Sequence, residues 1–153
     1  MDGRGWAVRE GHRLVQVGMI LFLVALLIGL AVQQFAVPRL GLSTHLLGIM
    51  QGLFLMTIGQ LWPRLSLTRG QSRVTFWLAV YGCLAPLAAN LLGALWGAGN
   101  TLLPIAAGPA HGSSLQEGLI TGALRTGGAS LIAASVLIAW GLRVLPSEPA
   151  AKA

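Results

Sequence analysis

The sequence predicts an all-α membrane protein, a bundle of four transmembrane helices. Three observations lead there. Of 153 residues, 55% are apolar and 9% charged, where an ordinary soluble domain carries about a quarter charged residues. Four stretches are apolar over the roughly 20 residues a helix needs to cross about 30 Å of hydrocarbon. The ten Lys/Arg, set against four Asp/Glu, lie at the edges of these stretches and form no stripe on a polar domain. That distribution excludes nucleic acid as the partner of this basic chain and reads as topology signals and lipid-headgroup contacts.

The first span runs from Leu14 to Val32. Its apolar core is longer than the roughly 7–15 residues of a cleaved signal peptide, so it is read as a retained helix. The second span is Leu42 to Leu61, the third Phe76 to Trp96, and the fourth Gly118 to Leu142. Pro38, Pro63 and Pro104 fall in or beside the connections as helix stops. Residues 1–145 form one transmembrane domain, and 146–153, "PSEPAAKA", a disordered tail. Arg4, Arg9, Arg13, Arg64, Arg69, Arg73, Arg143 and Lys152 fall on one side of the membrane, and Arg39 alone on the other. Cytoplasmic loops carry the excess, which puts both termini of this multi-pass chain in the cytoplasm; the expected location is a bacterial inner membrane. The single Cys83 excludes an internal disulfide and a Cys-based zinc site, and reads as a small buried hydrophobe.

Lipid provides no hydrophobic drive for helix association, so small residues that let backbones approach matter. Gly48 and Gly52, Gly93 and Gly97, and Gly118 and Gly122 are each spaced by one turn and predict tight packing, with subunit contacts among the possibilities. Polar residues at membrane depth point into a bundle: Gln51 on the second span, Asn90 on the third and Arg125 on the fourth. Glu117 suits the helix dipole at the start of the fourth span. Arg125 either snorkels to the surface or holds an anionic ligand such as a haem propionate.

His45 stands one turn into the second span. Gly48, Gly52, Met56 and Gly59 lie within about 60° of it on the helical projection. A histidine at the head of a glycine-smooth strip suits a flat macrocycle, with one nitrogen for iron and no side chains under the ring. A haem held by one histidine keeps its other axial position open. A histidine hydrogen-bonded to a neighbouring helix accounts for the same spacing. His111, in the outer "GPAHGSS" loop, is a second axial ligand, an acid–base group or a solvated loop residue. His12 is at the opposite end of the first span, which disfavours a three-histidine metal site. No Ser–His–Asp order, P-loop, Cys-x-x-Cys or close carboxylate pair is present.

The run "RLGLSTHLLGIMQGLFLMTIGQLWPRL", followed by "FWLAVYG", "LWGAGNTLLPIAAG" and "QEGLI", resembles the hydroxylaminobenzene mutase family and, more distantly, styrene oxide isomerase. The similarity runs from about Gly11 to Leu142 and includes Gly11–His12 and the "GPAH" before the fourth span. It implies a small four-helix membrane enzyme, a homotrimer that binds haem b between subunits through one histidine on the second helix, the position of His45. It also implies that ferric iron acts there as a Lewis acid on the substrate oxygen. The mutases move a hydroxyl from nitrogen to the ring of an arylhydroxylamine, giving an ortho-aminophenol, so the implied partner is a hydrophobic aromatic molecule taken from the bilayer. On this resemblance His45 is the axial ligand; helical spacing adds Gly48 and Gly52 as room for the porphyrin, and Arg125 and His111 are candidate haem contacts. Gln51 and Asn90 orient the substrate, and Tyr81, the one tyrosine, is a proton donor or an interfacial anchor. The chain departs from the pattern in three places. Gln51 replaces an asparagine six residues after the histidine, Ala94 replaces the isomerase's tyrosine four residues after Asn90, and Pro86 falls opposite its aspartate. These departures favour the mutase reaction over epoxide isomerisation. A bis-histidine cytochrome b using His45 and His111, and a cofactor-free packing subunit, are the rival readings.

Overall fold

The computed structural model describes residues 5–143; Arg4, Lys152 and the expected tail lie outside them. The elements are α1 (Gly5–Leu30), a 3-10 turn (Val32–Gln34), α2 (Pro38–Leu61), a second 3-10 turn (Trp62–Arg64), α3 (Arg69–Trp96), α4 (Pro104–Ala107) and α5 (Ser114–Gly141). Four of these helices, α1, α2, α3 and α5, are long and apolar enough to cross a membrane, and no strand occurs among the described residues. Each long helix begins before its predicted span, because amphipathic and capping residues precede the purely apolar core, while α1 ends at Leu30 and α5 at Gly141, slightly short of the predicted Val32 and Leu142. α1 begins nine residues before Leu14 and includes Arg9 and Arg13. The one-turn helix α4 was not anticipated.

Local chemistry sets the ends. Pro38 opens α2 at a position where its missing N–H costs nothing. α3 and α5 each begin with a capping box, Thr68 with Gln71 and Ser113 with Gln116. α3 closes on Gly97, which takes the left-handed conformation at φ 67° and donates its N–H to the Gly93 carbonyl. Gly97 is therefore a C-cap and not half of a packing pair.

The helices form two antiparallel pairs, α1 with α2 and α3 with α5, joined along a less extensive α2–α3 seam. Glycine makes the α1–α2 contact. A Cβ on Gly18 would meet the Gly52 carbonyl oxygen at 2.6 Å, and one on Gly59 would meet the Gly11 carbonyl oxygen at 2.7 Å. In the other pair, Gly82 receives Leu131 and Gly127 lies against the ring of Pro86. α5 uses Gly127 here, while Gly118 and Gly122 have nothing within 4 Å of an added Cβ. Only 17% of the apolar window of α5 is buried, against 56% for α3, so α5 turns most of its apolar surface away from its own chain.

The main core gathers Leu14, Leu21, Leu55, Ile58, Trp62, Phe76 and Cys83 toward the arginine-rich end. Cys83 is buried there as a free thiol, as expected. At that end Glu10 Oε2 accepts from Ser72 Oγ at 2.6 Å and from Trp62 Nε1 at 3.2 Å, tying α1 to α3. At the opposite end the Val37 N–H donates to the Ala94 carbonyl at 3.1 Å, tying the start of α2 to the end of α3.

Candidate functional site

His45 sits half-buried in the second turn of α2, against α1. Its Nδ1 lies 2.7 Å from the Ala25 carbonyl oxygen. A carbonyl only accepts, so Nδ1 is the donor, which leaves Nε2 as the ring nitrogen turned to other partners. Gly29, one turn further along α1, makes room for the ring: a Cβ there would meet Nδ1 at 2.5 Å and Cε1 at 2.6 Å. A backbone carbonyl holding one ring nitrogen while the other stays free is the arrangement that orients metal-ligating histidines. His45 alone therefore suits a group needing one protein ligand. No group of three or more His, Cys, Asp or Glu able to hold a bare metal ion occurs among the described residues.

The glycine strip below His45 does not have the expected role. A Cβ on Gly48 would meet the Ala25 Cβ at 2.7 Å and Leu87 Cδ1 at 3.0 Å, and one on Gly52 would meet the Gly18 carbonyl oxygen at 2.8 Å. Helix α1 of the same chain fills the surface on which a porphyrin was expected to lie. The spacing of α2 could announce a smooth face but not which neighbour uses it.

Asn90 is buried on α3. The contacts of Leu40 with Gly93 and of Gly48 with Leu87 bracket it, and place it level with Thr44 and His45. Its Nδ2 donates to the Pro86 carbonyl at 3.1 Å, which fixes the amide orientation because that carbonyl can only accept. Oδ1 is left buried without a partner among the described residues. Gln51 is also buried, with its Oε1 unpartnered. It lies about 9 Å deeper along α2 than His45, so the structure brings Asn90, but not Gln51, level with the histidine. A buried polar atom without a hydrogen bond costs about 1–3 kcal/mol, and most native structures avoid it.

An apolar cleft of about 430 Å³ opens between α1 and α3, walled by residues including Ile20, Val24, Leu84, Leu87 and Leu91. Leu87, which touches Gly48, ties this cleft to the α2–α3 seam.

Other expected site residues lie apart. Tyr81 is 46% exposed on the outside of α3, and its hydroxyl shares a 2.8 Å hydrogen bond with Thr126 Oγ1 on α5. It is about 13 Å along α3 from Asn90, which separates it from the histidine as a proton donor. His111 is exposed in the connection between α4 and α5, with no hydrogen-bond partner among the described residues. Arg125 is exposed and borders a groove of about 620 Å³ on α5, with Gly118, Thr121 and Gly122 along it. Glu117 does not cap its own helix, a task Ser113 and Gln116 perform. Its Oε1 accepts from the N–H groups of Gly99 at 2.8 Å, Gly112 at 3.1 Å and Asn100 at 3.3 Å, and its Oε2 from Thr101 N–H at 3.0 Å. One carboxylate thus ties the two ends of the α3–α5 connection together. The hydrogen bond from His45 to a neighbouring helix is the alternative its spacing left open; that Ala25 and Gly29 of α1 provide the seat is not legible in the periodicity of α2.

Comparison with known proteins gives the reaction class. The family model for styrene oxide isomerase matches residues 10–143. The chain is 46% identical over 137 residues to hydroxylaminobenzene mutase HabB of Ectopseudomonas oleovorans, covering 90% of this chain and 84% of that protein. It is 39% identical over 125 residues to hydroxylaminobenzene mutase HabA of the same organism, covering 82% of this chain and 93% of that one. No solved structure matches. A four-span chain whose similarity to these proteins runs through α1, α2, α3 and α5 belongs to the styrene oxide isomerase family and is an isomerase.

Proposed function

We propose that this chain rearranges an aromatic hydroxylamine to an ortho-aminophenol, with haem b held through His45 Nε2. In that reaction the N–O bond breaks and a C–O bond forms at the ortho carbon. The ring carbon loses its proton and the nitrogen gains one, so no net oxidant or reductant is needed. Ferric haem, when bound, supplies a Lewis acid for the substrate oxygen.

The observation that carries the reading is Asn90 Oδ1, buried without a donor at the depth of His45. An arylhydroxylamine brings two donors on adjacent atoms, N–H and O–H, whereas an aryl epoxide brings none. The unsatisfied acceptor therefore favours the hydroxylamine. Gln51 Oε1 offers a second acceptor deeper in the seam. The cleft between α1 and α3 admits an aryl group from the bilayer and excludes bulk water while positive charge develops on the ring. The Ala25 carbonyl and Gly29 fix the tautomer and position of the imidazole.

The same reading includes a homotrimer in a bacterial inner membrane with cytoplasmic termini. It is supported by the open Gly118 and Gly122 on α5 and the little-buried apolar face around them. That face is open to close approach by another subunit or a flat ring, and in this reading Arg125, which lines the groove, supplies the cation for a propionate. The arginine bias between the helix ends supports the orientation.

The test is product analysis. Protein purified in detergent from haem-replete cells, given phenylhydroxylamine without oxidant or reductant, should form 2-aminophenol and show a Soret band that His45→Ala abolishes. Conversion of styrene oxide but not phenylhydroxylamine would favour the epoxide reaction. Absence of both turnover and Soret absorption would refute the assignment.

A further inference from the structure

At the arginine-rich end a cavity of about 260 Å³ opens between the first turns of α1 and α3. Arg9 and Arg13 line it from α1, Arg69 and Arg73 from α3, and the rings of Trp6 and Trp77 flank it. One carboxylate, Glu10, is also in the wall. Its Oε2 is engaged by Ser72 and Trp62, and it opposes four guanidinium groups. None of the four arginines has an acidic partner or hydrogen bond among the described residues. A topology signal needs cations near one membrane face and nothing more. Four arginines from two helices converging on one concavity exceed that requirement and leave a strong demand for an anion.

A second feature continues from the first. An apolar groove of about 470 Å³ shares Arg73 and Trp77 with the cavity and runs on along α3 past Val74, Leu78 and Tyr81. It leads from the charged end into the hydrocarbon depth of α3. A free phosphate would use the cavity and leave the groove empty. A lipid with an anionic headgroup uses both.

We infer that this cavity and groove bind an anionic phospholipid, with its phosphate among Arg9, Arg13, Arg69 and Arg73 and an acyl chain along Val74, Trp77 and Tyr81. Arginine suits the role because its planar fork pairs two phosphate oxygens at once and its flat face stacks on tryptophan. The charge count predicts this end to be cytoplasmic, the side where anionic lipids attract basic residues at membrane depth.

The test is lipid binding to the full chain in neutral detergent, followed by native mass spectrometry and thermal unfolding. The probes are phosphatidylglycerol, phosphatidylcholine and inorganic phosphate, each added alone. Phosphatidylglycerol should bind and raise the unfolding midpoint, phosphatidylcholine should bind roughly tenfold more weakly, and phosphate should leave the midpoint unchanged. Arg13→Gln and Arg73→Gln should each weaken phosphatidylglycerol binding about fivefold, and Trp77→Ala should weaken it without altering net charge. Arg64→Gln removes the same charge at the same end but outside the cavity, and should leave binding intact. Equal weakening by Arg64→Gln would mean diffuse surface attraction and overturn the site. So would equal binding of the two lipids, a full effect from phosphate alone, or a native oligomer in which a second copy covers the arginines and no lipid is retained.

Discussion

Replacing Gly29 with alanine should displace the histidine of α2 through a change on α1. An added Cβ would lie 2.5 Å from His45 Nδ1, and ordinary contact begins at 3.4 Å, so the ring must retreat by about 0.9 Å. The Nδ1–Ala25 hydrogen bond is 2.7 Å long, and a retreat of that size along it carries it to about 3.6 Å, beyond hydrogen-bonding range. Overpacking costs about 1–3 kcal/mol and the lost bond about 1 kcal/mol. The helical preference of alanine over glycine returns about 0.5–1 kcal/mol. The net loss is about 1–3 kcal/mol, or roughly 2–10 °C in the unfolding midpoint for a chain of this size. Thermal unfolding in detergent measures it. Gly70→Ala, where nothing lies within 4 Å of the new Cβ, should show no loss. A visible spectrum of the same Gly29→Ala sample reads the ligand geometry separately, with a shifted or weakened Soret band expected. A variant with the wild-type midpoint and the wild-type spectrum would refute the idea that Gly29 seats the imidazole.

Asn90→Ala should lower turnover of phenylhydroxylamine tenfold or more while the unfolding free energy stays within about 1 kcal/mol of wild type, because it removes an orphaned acceptor along with one local bond; equal activity would remove Asn90 from the reaction. Tyr81→Phe should keep most activity, since the hydroxyl's partner is Thr126 on the outside of the chain, and a collapse in kcat would return it to the site. Glu117→Gln should destabilise by about 2–4 kcal/mol, as an amide presents a donor toward at least one of four backbone N–H groups; amide hydrogen exchange at Gly99–Thr101 should quicken first. Gly52→Leu should unseat α1 from α2 and abolish monodisperse protein on size exclusion, whereas Gly122→Leu should leave the fold of the single chain intact.

Much of the architecture was legible because the bilayer makes sequence speak plainly. Four apolar runs suffice for the spans, but their starts moved: Thr68 and Ser113 cap earlier first turns of α3 and α5, α1 runs back to Gly5, and Pro38, expected as a helix stop, opens α2. Buried Gln51 and Asn90 were legible too, since a polar side chain in a span has few places to go. What stayed hidden was pairing. Gly48 and Gly52 announced a smooth surface, but only the three-dimensional arrangement tells that α1 occupies it. Likewise a glutamate at a helix start looks like a dipole partner until the α3–α5 connection is seen folded over it. Helical periodicity describes one cylinder at a time, and the site is made between cylinders.

The α2–α3 seam has a mechanical meaning. It is the lesser of the major helix contacts, and it divides Gln51 and Asn90 between two halves that are each knitted by glycine. Cleaving the backbone between Leu65 and Thr68 should therefore leave two hairpins that insert independently and recombine when co-expressed. Sliding of one hairpin past the other along this seam would shift Gln51 and Asn90 relative to each other, so a change in bilayer thickness should register in their separation.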